Sequence, residues 1–342
     1  LCGDALGVPY EFEPATRIGE VMWRGHGTHD VPAGTWSDDG ALMLALLDSL
    51  LTAGFDPVDQ RRRALAWHDD GRYAVDGEVF DIGNATAQAL RELRAGTPAE
   101  EAGSVSARGN GALMRMLPVP LVQRDATEAE LLEMAFRACR VTHGSAESQL
   151  ACGLYVLIVR RLLLGDARQP ALESARTALR AHLRSVGLSG SREAARPAQA
   201  VAALDAFEAW SERSGRGRVV DSFWSAWDAF AHAADYRSTV LAAVAYGHDT
   251  DSTAAVAGGL AGTFFGIDAV PSEWQRGLRD RHVAQALVDR LIQTDDSEFG
   301  GTPWSTSTAR PLPLDLMDLA GSDLDGRGGR AGMTFLPGKR YV

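Results

Sequence analysis

Two short acidic segments carry most of the reactive side chains of this sequence. Residues 36–39 read Trp-Ser-Asp-Asp and residues 249–252 read Asp-Thr-Asp-Ser, and each segment precedes a run of helix-forming residues. Helix capping would explain one such segment, because hydroxyls and carboxylates satisfy the free N–H groups at helix starts. Adjacent aspartates are costly as caps, since like charges repel, and a hard cation would remove that cost. Together the segments supply an oxygen-only ligand set that favours Mg²⁺, Mn²⁺ or Ca²⁺ over zinc and suffices for two metal ions: Ser37, Asp38, Asp39, Asp249, Asp251 and Ser252.

Three further motifs are weaker individually. Residues 3–7 read Gly-Asp-Ala-Leu-Gly, in which the glycines allow close backbone approach and Asp4 is a candidate supporting partner of the site, with Glu11 following. Residues 109–111 read Gly-Asn-Gly, which would present N–H groups to a phosphate or form a simple tight turn. His143 could donate to a phosphate or a ribose, or cap a turn.

Composition excludes several classes of protein. The 342 residues include 34 Lys and Arg against 45 Asp and Glu, a net charge of −11, so we expect no non-specific nucleic-acid binding. The three cysteines, Cys2, Cys139 and Cys152, match neither a zinc pattern nor a disulfide framework and are interpreted as reduced core thiols. No apolar run is long enough for a membrane span and no signal peptide is recognisable, so we expect a cytoplasmic protein.

Helical periodicity dominates the chain and predicts an all-α fold. The predicted helices cover residues 41–53, 59–68, 84–94, 127–140, 146–164, 171–184, 198–213, 221–234, 238–246, 252–265 and 280–292. Short extended pieces are predicted near residues 19–30 and at the C-terminus, and residues 187–218 are predicted to be a mobile helix with flanking loops. The aromatic segment 219–227 is interpreted as core packing, with adenine stacking as the alternative.

Taken in order along residues 1–295, these motifs resemble those of the ADP-ribosylglycohydrolase family. The resemblance implies a multi-helix, all-α bundle with a cleft that holds two divalent cations, Mg²⁺ or Mn²⁺, and hydrolysis of the bond between ADP-ribose and a protein side chain. It matches the six oxygen ligands to the metal positions and Glu11 to the acidic residue near the scissile bond. It also places five residues at the ADP-ribose pocket or in the loop before it: Ser106, Gly109, Asn110, Gly111 and His143.

The sequence departs from that family pattern at three positions. Gly40 and Ser252 stand where the family commonly has Thr, and His248 stands where Gly or Asn is usual. Ser252 keeps the hydroxyl oxygen, so we expect the metal site to be retained.

The two ends of the chain suggest a fragment. Leu1 lies directly inside an apolar glycine-rich phrase, so we expect the natural N-terminus to lie upstream. We expect residues 1–297 to form the catalytic domain and residues 298–342, rich in Gly and Pro, to form an extended arm. This arm resembles the connector of family members that are fused to a C-terminal phosphatase-like domain.

The expected mechanism follows from charge. Cleavage at ribose C1″ builds oxocarbenium character that nearby carboxylates stabilise, and an aspartate or Glu11 takes the proton of the attacking water. The predicted substrate is an ADP-ribosylated protein or a small ADP-ribosyl compound, and a monomer is expected. Two rival functions remain, a non-catalytic ADP-ribose binder and a metal-dependent pyrophosphohydrolase. Substrate specificity is expected to lie in loops 21–33 and 69–79.

Overall fold

The computed structural model describes residues 1–188 and 195–298. Within these residues the chain forms fourteen α-helices and no β-strand, which confirms the predicted all-α fold. The helices are α1 (Cys2–Gly7), α2 (Asp38–Ala53), α3 (Pro57–Asp70), α4 (Asn84–Arg94), α5 (Pro118–Val122), α6 (Glu128–Arg140), α7 (Ala146–Leu163), α8 (Arg168–Val186), α9 (Pro197–Glu208), α10 (Val219–His232), α11 (Tyr236–Ala245), α12 (Thr250–Phe265), α13 (Ser272–Gly277) and α14 (Arg281–Glu298).

Several helices begin at polar caps that the sequence displays. At α6, the hydroxyl of Thr127 accepts a hydrogen bond from the N–H of Glu130 (3.3 Å), whose carboxylate accepts one from the N–H of Thr127 (2.8 Å). Ser145 caps α7 through its side chain in a similar way. Each cap satisfies an N–H group that the helix itself leaves free.

The core is built around α7. Its residues are buried almost continuously from Ser148 to Val159, and α5, α6, α8, α9, α10 and α12 all contact it, as expected for a helix that is apolar on every side. The three cysteines are buried free thiols, as predicted. Phe223, Trp224 and Trp227 on α10 are also buried, so this segment packs in the core and offers no open ring face to an adenine.

Helix α1 lies directly against the start of α12 because glycine leaves room for it. A Cβ on Gly3 would lie 2.1 Å from the carbonyl oxygen of Ala254, and one on Gly7 would lie 2.4 Å from the Cα of Asp251. Residues four apart share one helix face, so these two glycines form a flat strip that the α12 backbone can touch. The close backbone approach predicted at the glycines of residues 3–7 is confirmed.

Two predictions of local structure are wrong. No extended piece forms at residues 19–30; the segment is a loop held by a turn from His26 N–H to the Val31 carbonyl (2.8 Å) and by the Tyr10 hydroxyl, which bonds both backbone groups of Met22. The helix predicted at residues 198–213 ends at Glu208, and the chain continues beyond it as a loop.

The last predictions concern the C-terminal arm and membrane-spanning helices. The predicted arm at 298–342, its extended piece and the phosphatase-like connector lie outside the described residues, apart from Glu298 at the end of α14. Within the described residues, no helix has the length and apolar character needed to cross a membrane.

Candidate active site

The first acidic segment forms the start of α2, and Asp4 on α1 holds it in place through hydrogen bonds. The Asp4 carboxylate is fully buried and accepts hydrogen bonds from the N–H groups of Ser37 (2.9 Å) and Gly40 (2.8 Å). This pairing turns Asp38 and Asp39 into the first turn of the helix, where the positive end of the helix dipole favours carboxylates. Asp4 therefore positions the aspartates, in agreement with its predicted supporting role.

Gly40 leaves room for neighbouring side chains that a larger residue would displace. A Cβ there would lie 2.8 Å from the Oδ2 atom of Asp4 and 2.8 Å from the ring of Trp36. Glycine at this position therefore leaves space for the buried Asp4 carboxylate.

The second acidic segment begins α12 and meets the first one. The Ser252 hydroxyl lies 3.2 Å from Oδ2 of Asp39, and the Ser37 hydroxyl lies 3.3 Å from the same oxygen. Thr250, between the two aspartates, donates to the carbonyl of Gly7 (2.8 Å) and so ties α12 to α1. Hydroxyls and carboxylates from helix starts more than 200 residues apart thus share one buried space.

Glu11 reaches this space because its neighbours in the chain pair with the turn before α12. The N–H of Phe12 donates to the His248 carbonyl (2.6 Å), and the N–H of His248 donates to the Glu13 carbonyl (2.7 Å). Carboxylate oxygens of Glu11, Asp249 and Asp251 consequently lie within 4.8 Å of one another. The sequence predicted these three residues at one site, and the fold brings them together.

The crowding of carboxylates has clear electrostatic consequences. Burial, together with repulsion from Asp81 and Asp249, raises the pKa of Glu11 to about 11. Burial and neighbouring carboxylates likewise raise the pKa values of three aspartates well above the usual range: Asp38, Asp39 and Asp251. A site of this kind holds its negative charge only when a counter-charge is supplied.

Several oxygens in the cluster are suited to a cation. Among the described residues, Oδ1 of Asp39 and both carboxylate oxygens of Asp251 are buried without a hydrogen-bond partner. Buried polar groups are almost always satisfied, so three such oxygens in one acidic space call for a ligand. Hard oxygen donors match Mg²⁺ or Mn²⁺, and the residues present therefore fit the predicted kind of metal.

Two residues of the site were missed by the sequence analysis. The imidazole Nε2 of His29 contacts the Glu11 carboxylate and lies 3.8 Å from Asp81. Glu11, His29 and Asp81 form a second group whose ligand atoms all lie within 4.8 Å of one another. His29 and Asp81 come from loops without a recognisable motif; the expectation that loop 21–33 matters covered His29, and nothing in the sequence pointed to Asp81.

The Gly-Asn-Gly turn lies next to the second aspartate segment. The Asn110 amide donates to Oδ2 of Asp249 (3.1 Å) and to the Ser222 hydroxyl (2.9 Å), so it orients that carboxylate. Ser106, in the same loop, is exposed and shares a 2.9 Å hydroxyl contact with Ser104.

His143 lies buried behind this turn. A Cβ on Gly111 would come within 2.9 Å of the imidazole, and one on Gly109 within 3.3 Å. Burial, with the charge of Arg115 nearby, lowers the pKa of His143 to about 3, so the ring is neutral. The predicted contacts of the five pocket residues with ADP-ribose stay predictions.

Comparison with known proteins agrees with this site. The family model described as ADP-ribosylglycohydrolase matches residues 1–299. A solved structure titled "ADP-ribosylglycohydrolase-related protein complex" superposes with a TM-score of 0.69 at 33% sequence identity, covering 85% of this chain and 93% of that chain.

Relatives with curated names point in the same direction. The ADP-ribosylarginine hydrolase Tri1 of Pseudomonas putida is 30% identical over 86% of this chain and 77% of its own length. The ADP-ribosyl-[dinitrogen reductase] glycohydrolase of Rhodospirillum rubrum is 27% identical over 85% and 92%. The human ADP-ribosylhydrolase ARH3 is 25% identical over 86% and 91%. With the family model matching most of its length, the chain belongs to the ADP-ribosylglycohydrolase family and is a hydrolase.

Proposed function

We propose that the protein is a metal-dependent hydrolase that releases ADP-ribose from ADP-ribosylated arginine side chains of proteins. Metal dependence is supported by the buried carboxylate oxygens of Asp39 and Asp251 that have no hydrogen-bond partner among the described residues. The arginine linkage is supported by the names of two relatives, the Tri1 proteins of Pseudomonas putida and Serratia proteamaculans, both called ADP-ribosylarginine hydrolases.

The proposed ligands of two divalent cations are the six oxygen-bearing residues at the starts of α2 and α12. They are Ser37, Asp38, Asp39, Asp249, Asp251 and Ser252. When bound, such cations supply positive charge that orients ribose hydroxyls and acidifies water. The pairing of Asp4 with the α2 backbone and of Asn110 with Asp249 would keep these ligands in place.

The protein's own groups then serve three purposes. The loop that contains Ser106, Gly109, Asn110 and Gly111 would hold ADP-ribose beside Asp249. The carboxylates would stabilise the positive charge that develops on the ribose as the C1″–N bond breaks. Glu11 or one of the aspartates would accept a proton from water, whose hydroxyl joins C1″, and that carboxyl group would pass the proton to the departing guanidine nitrogen.

Two other functions give different products. A pyrophosphohydrolase would use the same carboxylates but would release AMP and leave phosphoribose on the protein. A non-catalytic binder would retain ADP-ribose and release nothing.

A panel of ADP-ribosylated peptides tests the proposal. Arginine-linked and serine-linked peptides are incubated with the protein and Mg²⁺, and the products are identified by mass spectrometry. Free ADP-ribose from the arginine-linked peptide is expected. AMP as the product would overturn the proposal in favour of the pyrophosphohydrolase, and binding of ADP-ribose without any product would favour the binder.

A further inference from the structure

We infer that Phe12 and Phe80, which both contact the His29 ring, form the subsite for the guanidinium group of the arginine from which ADP-ribose is removed. Asp81 completes this subsite with a carboxylate. The inference rests on the proposed function, and it assigns substrate specificity to residues that no motif marks. We call this group the aromatic rim, defined by Phe12, His29, Phe80 and Asp81.

Phe12 is the most exposed residue of the aromatic rim. Its side chain is 64% exposed, although it directly follows the buried Glu11. Its backbone φ is 62°, in the left-handed region that a bulky residue adopts only at a cost. The positive φ suits the third residue of the turn that the Glu13 N–H closes onto the Tyr10 carbonyl (3.2 Å), so the exposed ring, and not the backbone, is the feature available to a ligand.

The two phenyl rings meet the same imidazole. The ring centroids of Phe12 and His29 are 5.9 Å apart, and those of His29 and Phe80 are 5.1 Å apart. His29 in turn contacts the Glu11 carboxylate through Nε2. The rings therefore border the acidic cluster at Glu11.

A chain of contacts through the carboxylates links the aromatic rim to the loop that would hold ADP-ribose. Asn110 contacts Asp249, Asp249 lies within 4.8 Å of Glu11, and Glu11 belongs to the group that contains His29 and Asp81. A substrate whose ADP-ribose lies at the Asn110 end and whose C1″ lies among the carboxylates would have the aromatic rim next to its leaving group.

The chemistry of the aromatic rim suits a guanidinium group. This group is planar and cationic, stacks on aromatic faces and pairs with a carboxylate through two parallel N–H groups. Asp81 is only partly exposed, at 18% of its side chain, so its carboxylate lies in a sheltered place at the edge of the cluster. The neutral oxygen of a serine linkage would gain nothing from a ring face or from this charge.

Leucine variants test the aromatic rim. We expect Phe12→Leu and Phe80→Leu each to lower kcat/KM for an arginine-linked ADP-ribosyl peptide by about 10-fold, the range of a sheltered cation–π contact. Phe265→Leu is the matched control. The Phe265 ring lies against Arg168 at the C-terminal end of α12, away from the acidic segment at the start of that helix. The affinity for free ADP-ribose, measured by calorimetry, is expected to be unchanged in all three variants.

A competition experiment adds a readout that a purely structural role would not change. N-methylguanidinium should inhibit the wild-type protein more strongly than methylammonium at equal concentration, and Phe12→Leu should abolish this difference. Thermal unfolding of each variant identifies any that fail to fold, and the competition within the wild type remains informative in that case.

The outcomes separate this inference from the proposed function. A wild-type protein that releases no ADP-ribose from the arginine-linked peptide would overturn the proposed function itself. An active wild type whose two leucine variants keep kcat/KM within about twofold would overturn only the aromatic rim. Equal loss of ADP-ribose affinity and of kcat/KM would likewise overturn it, because Phe12 would then support the ADP-ribose pocket.

Discussion

At the scale of single residues, Asp251 shows clearly why the site needs a cation. It is 1% exposed, and neither of its carboxylate oxygens has a hydrogen-bond partner among the described residues. Burial and the repulsion of Glu11 and Asp249 raise its pKa well above the usual range. A buried carboxylate kept in this way costs stability unless a cation binds it, so its value to the protein is in the ligand.

The variant Asp251→Asn separates metal binding from folding. We expect ADP-ribose release to fall at least about 100-fold, because the amide supplies a weaker metal ligand and no negative charge. The Tm in EDTA should be equal to or higher than that of the wild type, since one repelling carboxylate is gone. The rise in Tm on adding Mg²⁺, measured by differential scanning fluorimetry, should disappear.

Asp289→Asn is the matched control for this variant, because Asp289 is exposed on α14. It should keep both turnover and the Mg²⁺-dependent rise in Tm. Full turnover in Asp251→Asn would remove Asp251 from the metal site.

The sequence revealed some residues of the site and concealed others for physical reasons. Asp38 and Asp251 were found because adjacent or alternating carboxylates at a helix start are an unusual pattern. His29 and Asp81 lie in loops, where the path of the backbone depends on tertiary contacts and leaves no periodic signal. The buried position of His143 follows from the turn that covers it, which the sequence alone does not fix.

At the scale of elements, the site depends on how closely α1 approaches α12. Gly3 and Gly7 allow that contact, and Thr250 donates to the Gly7 carbonyl across it. The backbone of Asp251 is therefore positioned by a helix that carries none of its proposed metal-ligating neighbours.

The variant Gly7→Ala tests this contact. Alanine normally favours a helix by about 1 kcal/mol over glycine, but here its Cβ would lie 2.4 Å from the Cα of Asp251. We expect the clash to prevail and the free energy of unfolding to fall by about 1–3 kcal/mol. Urea unfolding measures this, and the Mg²⁺-dependent rise in Tm should shrink as Asp251 shifts.

Gly19→Ala is the corresponding control, because a Cβ at Gly19 would meet nothing within 4 Å. Its stability should differ little from that of the wild type. A Gly7→Ala variant that is as stable as this control would contradict the packing described for α1.

The long helices were predicted well because their patterns are long. Nine of the eleven predicted helices agree with the structure to within three residues at each end, while the prediction for α9 extended five residues too far and the prediction for α14 stopped six residues too early. Helices α1, α5 and α13 were missed: α1 and α13 are only six residues long, and α5 contains Pro118 and Pro120, which are typical of loops. The loop at residues 19–30 was mistaken for extended structure because its anchor, Tyr10, is distant in sequence.

At the scale of the whole molecule, a second buried polar network holds the outer helices together. The Asp48 carboxylate on α2 accepts hydrogen bonds from the Tyr73 hydroxyl (2.8 Å) and from Arg290 on α14 (2.7 Å). It also forms an ion pair with Arg63 on α3, whose side chain is 5% exposed. Three helices and one loop thus meet at a single carboxylate.

This network predicts a pH dependence of stability. Burial alone would raise the pKa of Asp48, but its hydrogen bonds and the charge of Arg63 lower it below the usual value. A carboxyl group whose folded-state pKa is lowered stabilises the fold above its unfolded-state pKa, about 3.9, and loses this contribution as the pH falls through the folded-state value.

The variant Asp48→Asn tests whether the Asp48 carboxylate stabilises the fold above about pH 4. Its free energy of unfolding at pH 7 should be about 3 kcal/mol below that of the wild type, because the buried Arg63 and the partly exposed Arg290 lose their charge partner. The difference should narrow only below about pH 4. Urea unfolding at pH 7, 5 and 4 measures it, and a difference that already disappears between pH 7 and 5 would contradict the lowered pKa.

The central claim is metal-dependent cleavage of the glycosidic bond, and product stoichiometry tests it most directly. An arginine-linked ADP-ribosyl peptide is incubated with the protein in Mg²⁺, in Mn²⁺ or in EDTA, and the peptide and nucleotide products are quantified by mass spectrometry. We predict unmodified arginine peptide and free ADP-ribose in equal amounts with either metal, and neither product in EDTA. AMP with phosphoribosyl peptide, or undiminished ADP-ribose release in EDTA, would contradict the account.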